Sequence, residues 1–211
     1  MTIVSLRNVQ LRFGPVPVLT GVDLDVGPGE RVGIAGPNGA GKSTLLSVIA
    51  TLRPPSSGEA RVFDAEVGTP QAYEVRRLIG WSGHDPALFD ELSLRENLYH
   101  FARLAGLDIA EADKALHQVG LEAAADRRAR VCSNGMRRRA DLARLLMTRP
   151  RLLLLDEAHA GLDADATAIV EALSRRTVAD GGAVVMVSHD RQTMGEHVDR
   201  VLTLREGTVV P

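Results

Sequence analysis

The stretch that decides the fold is Gly36-Pro37-Asn38-Gly39-Ala40-Gly41-Lys42-Ser43, followed by Thr44. It fills every fixed position of the pattern G-x-x-x-x-G-K-[ST]. The glycines let backbone N–H groups converge on phosphate oxygens, Lys42 adds a compact positive charge, and the Ser43 hydroxyl is a ligand for Mg²⁺. Arg31 to Ala35 ahead of it reads as a short buried strand. Ser43 to Leu52 behind it reads as a helix, whose N-terminal dipole favours a bound anion. The predicted ligand is therefore a nucleoside triphosphate with Mg²⁺. The lysine adds weight of its own, because 23 of the 25 basic residues are arginine and only Lys42 and Lys114 are lysine. A chain so biased towards arginine places lysine where a three-donor ammonium suits phosphate better than a planar fork.

Outward from the loop, 211 residues suffice for one unit, 1–211, with a substantial buried core. The single cysteine, Cys132, has no partner within the chain, which fits a reducing compartment and excludes a cysteine metal cluster. A formal net charge of −2 argues against broad electrostatic attraction to nucleic acid, so no nucleic-acid partner is expected. Apolar runs such as Leu152 to Leu155 and Ala183 to Val187 fall far short of the roughly 20 residues of a spanning helix. The start, Met1-Thr2-Ile3-Val4-Ser5, lacks the regions of an export signal. Membrane contact, if any, is expected to be indirect.

The first third carries β-like runs, Ile3 to Arg12 and Val18 to Val26, punctuated by Gly14-Pro15, Pro17 and Gly27-Pro28-Gly29. They predict a small antiparallel layer ahead of the phosphate loop. Short strands follow near Ala60 to Phe63 and Arg77 to Trp81. From Leu92 to Met147 the periodicity becomes helical, with Leu94, Leu98, Phe101 and Leu104 spaced by three and four, which predicts a helical lobe inserted at about 84–149. After Pro150, strand and helix alternate again: Leu152 to Leu155, a helix over Ala164 to Val178, then Ala183 to Ser188. Strands apolar throughout predict a mostly parallel sheet covered on both faces. The expected class is α/β.

Leu152 to Leu155 runs into Asp156-Glu157, 114 residues after Lys42. Open α/β sheets bind ligand at the carboxyl ends of their strands. Asp156 is expected to orient Mg²⁺, and Glu157 to accept a proton from attacking water. The run Ala183 to Ser188 ends in His189, placed to hydrogen-bond the γ-phosphate or that water. A second anion site is suggested at Ser133-Asn134-Gly135-Met136, where Ser133 caps a predicted helix from Arg137 to Met147. Two anion sites for one nucleotide loop point to a two-fold dimer with two sandwiched ATPs.

On these motifs the chain resembles the nucleotide-binding subunit of an ATP-binding cassette transporter along essentially its whole length. Gly36 to Ser43 matches the Walker A motif and Leu152 to Glu157 the Walker B motif. Ser133 to Met136 stands where the family signature stands, Gly161-Leu162-Asp163 matches the D-loop, and His189 the switch histidine. The resemblance implies that the signature of one subunit closes over ATP held by the other, with Asp163 at the same site. It implies a separate integral membrane permease as partner, and a place at the cytoplasmic face of the cell membrane. Phe13 resembles the aromatic that stacks on adenine, and His84, after Ile79-Gly80-Trp81-Ser82-Gly83, occupies the place of the Q-loop glutamine, a metal ligand in the family. Further departures are Asn134, Met136 and Cys132 in the signature, Ala158 after the expected catalytic glutamate, and His159 beside it, which has no assigned role.

The short chain, Gly83-His84 and Leu92-Ser93-Leu94-Arg95-Glu96-Asn97-Leu98 are similar to the haem-exporter branch of that family, the ATPase of cytochrome c maturation, and occur near multidrug exporters too. The rival class, a non-transport ATP-gated clamp, usually carries coiled coils, zinc inserts or tandem cassettes, none of which stands in this sequence. Arg127, Arg128, Arg130, Arg137, Arg138 and Arg139 concentrate positive charge around the signature. Such a run reads as a solvated helix face, as an aid to closure over ATP, or as a contact for lipid headgroups.

Overall fold

A computed structural model describes residues 2–157 and 164–210. The chain opens with β1 (Val4–Phe13) and β2 (Val16–Val26), passes through β3 (Arg31–Ala35) into α1 (Lys42–Ile49), and adds β4 (Ser57–Val62) and β5 (Ala65–Glu66). Helix α2 (Pro70–Val75) and β6 (Ile79–Ser82) lead to α3 (Leu94–Leu104), α4 (Ile109–Gln118) and α5 (Asn134–Thr148). The remainder is β7 (Leu152–Asp156), α6 (Ala164–Ala179), β8 (Ala183–Ser188), α7 (Arg191–Gly195), β9 (Arg200–Arg205) and β10 (Thr208–Val210).

Two sheets form. The first, in the order β2-β1-β4-β5, is antiparallel, as the alternating runs before the loop predict. The second runs β10-β9-β3-β8-β7-β6, with every pairing parallel except the β9–β10 hairpin. Period-two alternation divides the leucines of β7 between two cores. Leu152 and Leu154 face α1 and the antiparallel layer, and Leu153 and Leu155 face the side packed by α5, α6 and α7. All four are fully buried, each worth about 1.5–3 kcal/mol of transfer free energy. The helical lobe has its own apolar cluster, built from Leu94, Leu98, Ala112, Leu116, Ala140 and Ala143.

Helix starts follow the sequence chemistry. Ser93 caps α3 and accepts a bond from the Glu96 amide, while Glu96 accepts one from the Ser93 amide at 2.7 Å, a reciprocal capping box. Asp108 caps α4 and Ser133 caps α5, as their side-chain oxygens allow. The left-handed conformation of Arg149 ends α5 just before Pro150.

The parallel register sets the site. Ala35 pairs with Ser188, Asp156 with Val187, and Ser82 with Leu155. The carboxyl ends of β3, β6, β7 and β8 therefore finish at one edge and release the phosphate loop, Gly83-His84, Glu157 and His189 side by side.

Candidate functional site

The loop between β3 and α1 folds as its glycines require. Gly39 and Gly41 sit at φ of 81° and 100°, in the left-handed region open to glycine. A Cβ on Gly36 would lie 2.5 Å from the Leu204 carbonyl oxygen, so this position has no room for a side chain. The loop opens on a cleft of about 360 Å³, lined by Asn38, Gly39, Gly41, Lys42, Ser43, Thr44, His84, Asp156, Glu157 and Val18. That volume lies within the range of small-molecule sites.

Lys42 is only 7% exposed, and its ammonium donates to the carbonyls of Gly36 at 2.8 Å and Pro37 at 3.2 Å. It also lies 3.8 Å from a Glu157 carboxylate oxygen. A bound phosphate would thus replace partners that already neutralise this cation.

Asp156 closes β7, likewise 7% exposed. Burial raises its carboxyl pKa above the usual range and Glu157 adds to the rise, while a hydrogen bond with Ser43 and the positive charge of Lys42 act against it. A carboxylate held with so little solvent is one that a cation would stabilise. The pair Ser43 and Asp156, with the His84 ring in the same cleft, fits a hard cation held partly by waters and phosphate oxygens. Among the described residues no cluster of three or more His, Cys, Asp or Glu is placed to hold a metal ion.

Glu157 takes φ of +53°, a conformation costing a non-glycine residue about 1 kcal/mol or more. Several bonds hold it there. Its amide donates to the Val187 carbonyl at 2.9 Å, and its carboxylate accepts from the Ser188 hydroxyl, the His189 amide and His189 Nδ1, each at 3.0 Å. An ionised carboxylate only accepts, so Nδ1 carries the proton in this bond and Nε2 is the nitrogen directed away from Glu157. Strand-end reasoning names Glu157 and His189 but misses Ser188 between them, whose side chain fixes the carboxylate and accepts from the Asp190 amide at 3.1 Å. Val18, in the antiparallel layer, was missed as a wall of the cleft as well, because nothing local in the sequence marks it.

Other predicted residues lie elsewhere. Pro37 and Ala40 belong to the loop backbone without lining the cleft. Phe13, 43% exposed at the end of β1, is not among the lining residues, and its ring is covered by the Arg53 guanidinium 4.8 Å from its centroid. Ser133, Asn134, Gly135 and Met136 start α5, where the Ser133 hydroxyl accepts from the Met136 amide at 3.2 Å. None of the four lines the cleft of their own chain. Asp163 falls outside the described residues, as do Ala158, His159, Gly161 and Leu162.

The arginine run differs from an open basic patch. Arg128 and Arg130 approach Glu91 at 3.7 and 3.6 Å, and Arg137 pairs with Asp90 at 2.9 Å. Arg138 is buried and donates to the Gly83 carbonyl, and Arg139 donates to the Val119 carbonyl at 3.1 Å. Arg127, Arg128 and Arg130 precede α5, and helical periodicity turns only Arg137, Arg138 and Arg139 around it, so that these three meet different neighbours.

Fold and cleft together define a P-loop ATPase with an antiparallel β layer and a helical lobe. Residues 19–160 match the family model described as ABC transporter. The chain is 37% identical over 213 residues to the daunorubicin resistance ATP-binding protein DrrA3 of Streptomyces coeruleorubidus, covering 99% of this chain and 67% of that protein. It is 35% identical over 192 residues to the cytochrome c biogenesis ATP-binding export protein CcmA of Nitrosomonas europaea, covering 90% of each. A solved ATP-binding cassette, a dimer in a post-hydrolysis state bound to ADP and Pi, superposes with a TM-score of 0.85 at 28% identity, covering 98% of this chain and 96% of that one. The chain belongs to the ABC transporter family and is an ATPase subunit of it.

Proposed function

We propose that this chain binds MgATP in the cleft between Lys42 and Glu157 and hydrolyses it as one half of a two-fold dimer, driving a separate membrane permease from the cytoplasmic face. The observation that carries the reading is the convergence of Lys42, Ser43, Asp156, Glu157 and His189 at one sheet edge, while Ser133 to Met136 lie on another surface of the same chain. An anion-binding helix start that its own cleft does not use serves a second copy, because an isologous interface uses each patch twice.

In this scheme the phosphate-loop amides and Lys42 hold the phosphates, and Asp163 joins the same site. Ser43 and Asp156 hold Mg²⁺, with His84 beside them; the ion supplies charge stabilisation at the phosphoryl oxygens. Glu157 accepts the proton of the attacking water, and Ser188 and His189 orient its carboxylate. His189 turns Nε2 towards the transferring group. Phe13 meets adenine once Arg53 yields its face. Among the described residues no helix is long and apolar enough to cross a membrane.

For cargo we propose export, first of haem for c-type cytochrome maturation, supported by Gly83-His84, by the segment Leu92 to Leu98 and by the CcmA relative. Export of a drug-like small molecule is the second reading, favoured by the DrrA3 relative at a similar identity. Gentle detergent extraction with the tagged full chain tests the scheme. A co-purifying protein of several spans whose presence raises MgATP turnover supports it, and ribosomes or DNA in its place would replace it with an ATP-gated clamp.

A further inference from the structure

We propose that Arg138 and Asp141 of α5 are positioning residues that hold Gly83 and His84 against the cleft and tie their place to the Ser133 end of the same helix. This rests on the reading of the cleft as an MgATP site. Asp141 is fully buried, yet no role in binding or hydrolysis falls to it. Its carboxylate accepts from the Ser82 hydroxyl at 2.8 Å and from the Ala87 amide at 3.3 Å, so it grips the segment on both sides of His84. Arg138 donates to the Gly83 carbonyl, immediately before His84. Arg144 completes the row, donating to the Trp81 carbonyl and to Asp141, each at 2.8 Å. Residues 138, 141 and 144 are spaced by three, which puts the clamp on one face of α5.

A buried ion pair is weak as a source of stability, since apolar residues of similar volume serve as well. Its bonds are directional, however, and each of these ends on the strand end or loop that delivers His84. His84 lines the cleft, so a displacement of this segment is a displacement of the cleft wall. Ser133 lies five residues before Arg138, about 7.5 Å along a rigid helix. A shift of His84 towards a bound nucleotide therefore moves the helix end that faces the second copy, and the clamp is the rigid link between the two.

The test uses the full-length chain carrying Glu157→Gln, with MgATP as the probe. Equilibrium dialysis at low protein concentration gives MgATP affinity, and sedimentation velocity gives the MgATP concentration for half-dimerisation. Arg138→Met is expected to leave affinity within about threefold and to raise the half-dimerisation concentration at least tenfold, while Arg138→Lys, which still donates to Gly83, stays within about threefold of its parent. His84→Ala, compared at saturating MgATP because His84 lines the cleft, is expected to weaken dimerisation at least as much as Arg138→Met, and the double variant to be no worse than His84→Ala, because the two act through one link. Asp141→Asn, which keeps an acceptor, should fall between parent and Arg138→Met, and it keeps the test open if Arg138→Met does not fold. Unchanged dimerisation of the Arg138 and Asp141 variants, or effects of His84→Ala and Arg138→Met that multiply, would overturn the positioning role alone. A parent that binds no MgATP, or binds it and stays monomeric, would overturn the reading beneath it.

Discussion

Replacing Lys42 by methionine keeps the length of the side chain and removes its charge, so the change isolates the electrostatic share of phosphate binding. In the free chain the ammonium is already partnered by two carbonyls and lies 3.8 Å from Glu157. At an effective dielectric of 20, a unit charge at that separation contributes about 4 kcal/mol. The β- and γ-phosphates bring at least two negative charges to a similar distance, about twice that attraction. Binding thus exchanges about 4 kcal/mol for about 8, and desolvation of the ammonium and phosphates removes part of the difference. About 3 kcal/mol remains, which corresponds to a loss of roughly 150-fold in MgATP affinity for Lys42→Met. Isothermal titration calorimetry on the purified chain, with circular dichroism to confirm folding, reads the change. A folded Lys42→Met chain that binds MgATP within threefold of the parent would refute this account of Lys42.

Glu157→Gln should retain MgATP binding within a few-fold and lower turnover by roughly 10²–10⁴, the usual share of a general base, since the amide still offers an oxygen to the His189 amide. Single-turnover kinetics checks it, and undiminished hydrolysis would remove Glu157 from the role. Gly36→Ala places a Cβ against the Leu204 carbonyl and must displace either the loop or β9. It should abolish nucleotide binding or lower the melting temperature by several degrees, and parent-like values of both would show that the loop gives way. Asp199 accepts three bonds from Arg31, whose guanidinium and amide hold its pKa below the usual range. A depressed folded pKa contributes stability above the unfolded value near 4, which disappears as pH falls through the folded one. Asp199→Asn should therefore melt below the parent at pH 7 and approach it as pH drops below 4; a gap that widens with acid would reverse the assignment.

The site was largely legible because its residues occupy strand ends with fixed local chemistry. Gly36 to Ser43 advertises its own backbone, and the apolar runs before Asp156 and Ser188 place their carboxyl ends without any tertiary information. The hairpins were harder to see. Phe63-Asp64 and Glu206-Gly207 both make two-residue turns with positive φ at each position, but neither pair displays the Asn-Gly or Asp-Gly signal of such turns. Strands β5, β9 and β10 went unnoticed with them. The clamp of Arg138, Asp141 and Arg144 was hidden for a different reason. Read along the chain, Arg138 belongs to the basic run, while Asp141 and Arg144 are charged positions of a helix that nothing local marks, and only the packing of α5 against the end of β6 turns the three towards Ser82, Gly83 and Trp81. Ser188 was masked by the more conspicuous His189 that follows it.

The central claim is that Lys42 of one copy and Ser133 of another complete a single site. It is tested most directly by mixing two inactive full-length chains, Lys42→Met and Ser133→Arg, and measuring MgATP hydrolysis. In a two-fold dimer each mixed pair contains one site with both defects and one with neither. Random pairing at equal amounts then predicts recovery of about a quarter of the parental rate, absent from either variant alone. A mixture as inactive as its components, with mixed dimers shown to form, would contradict the composite site.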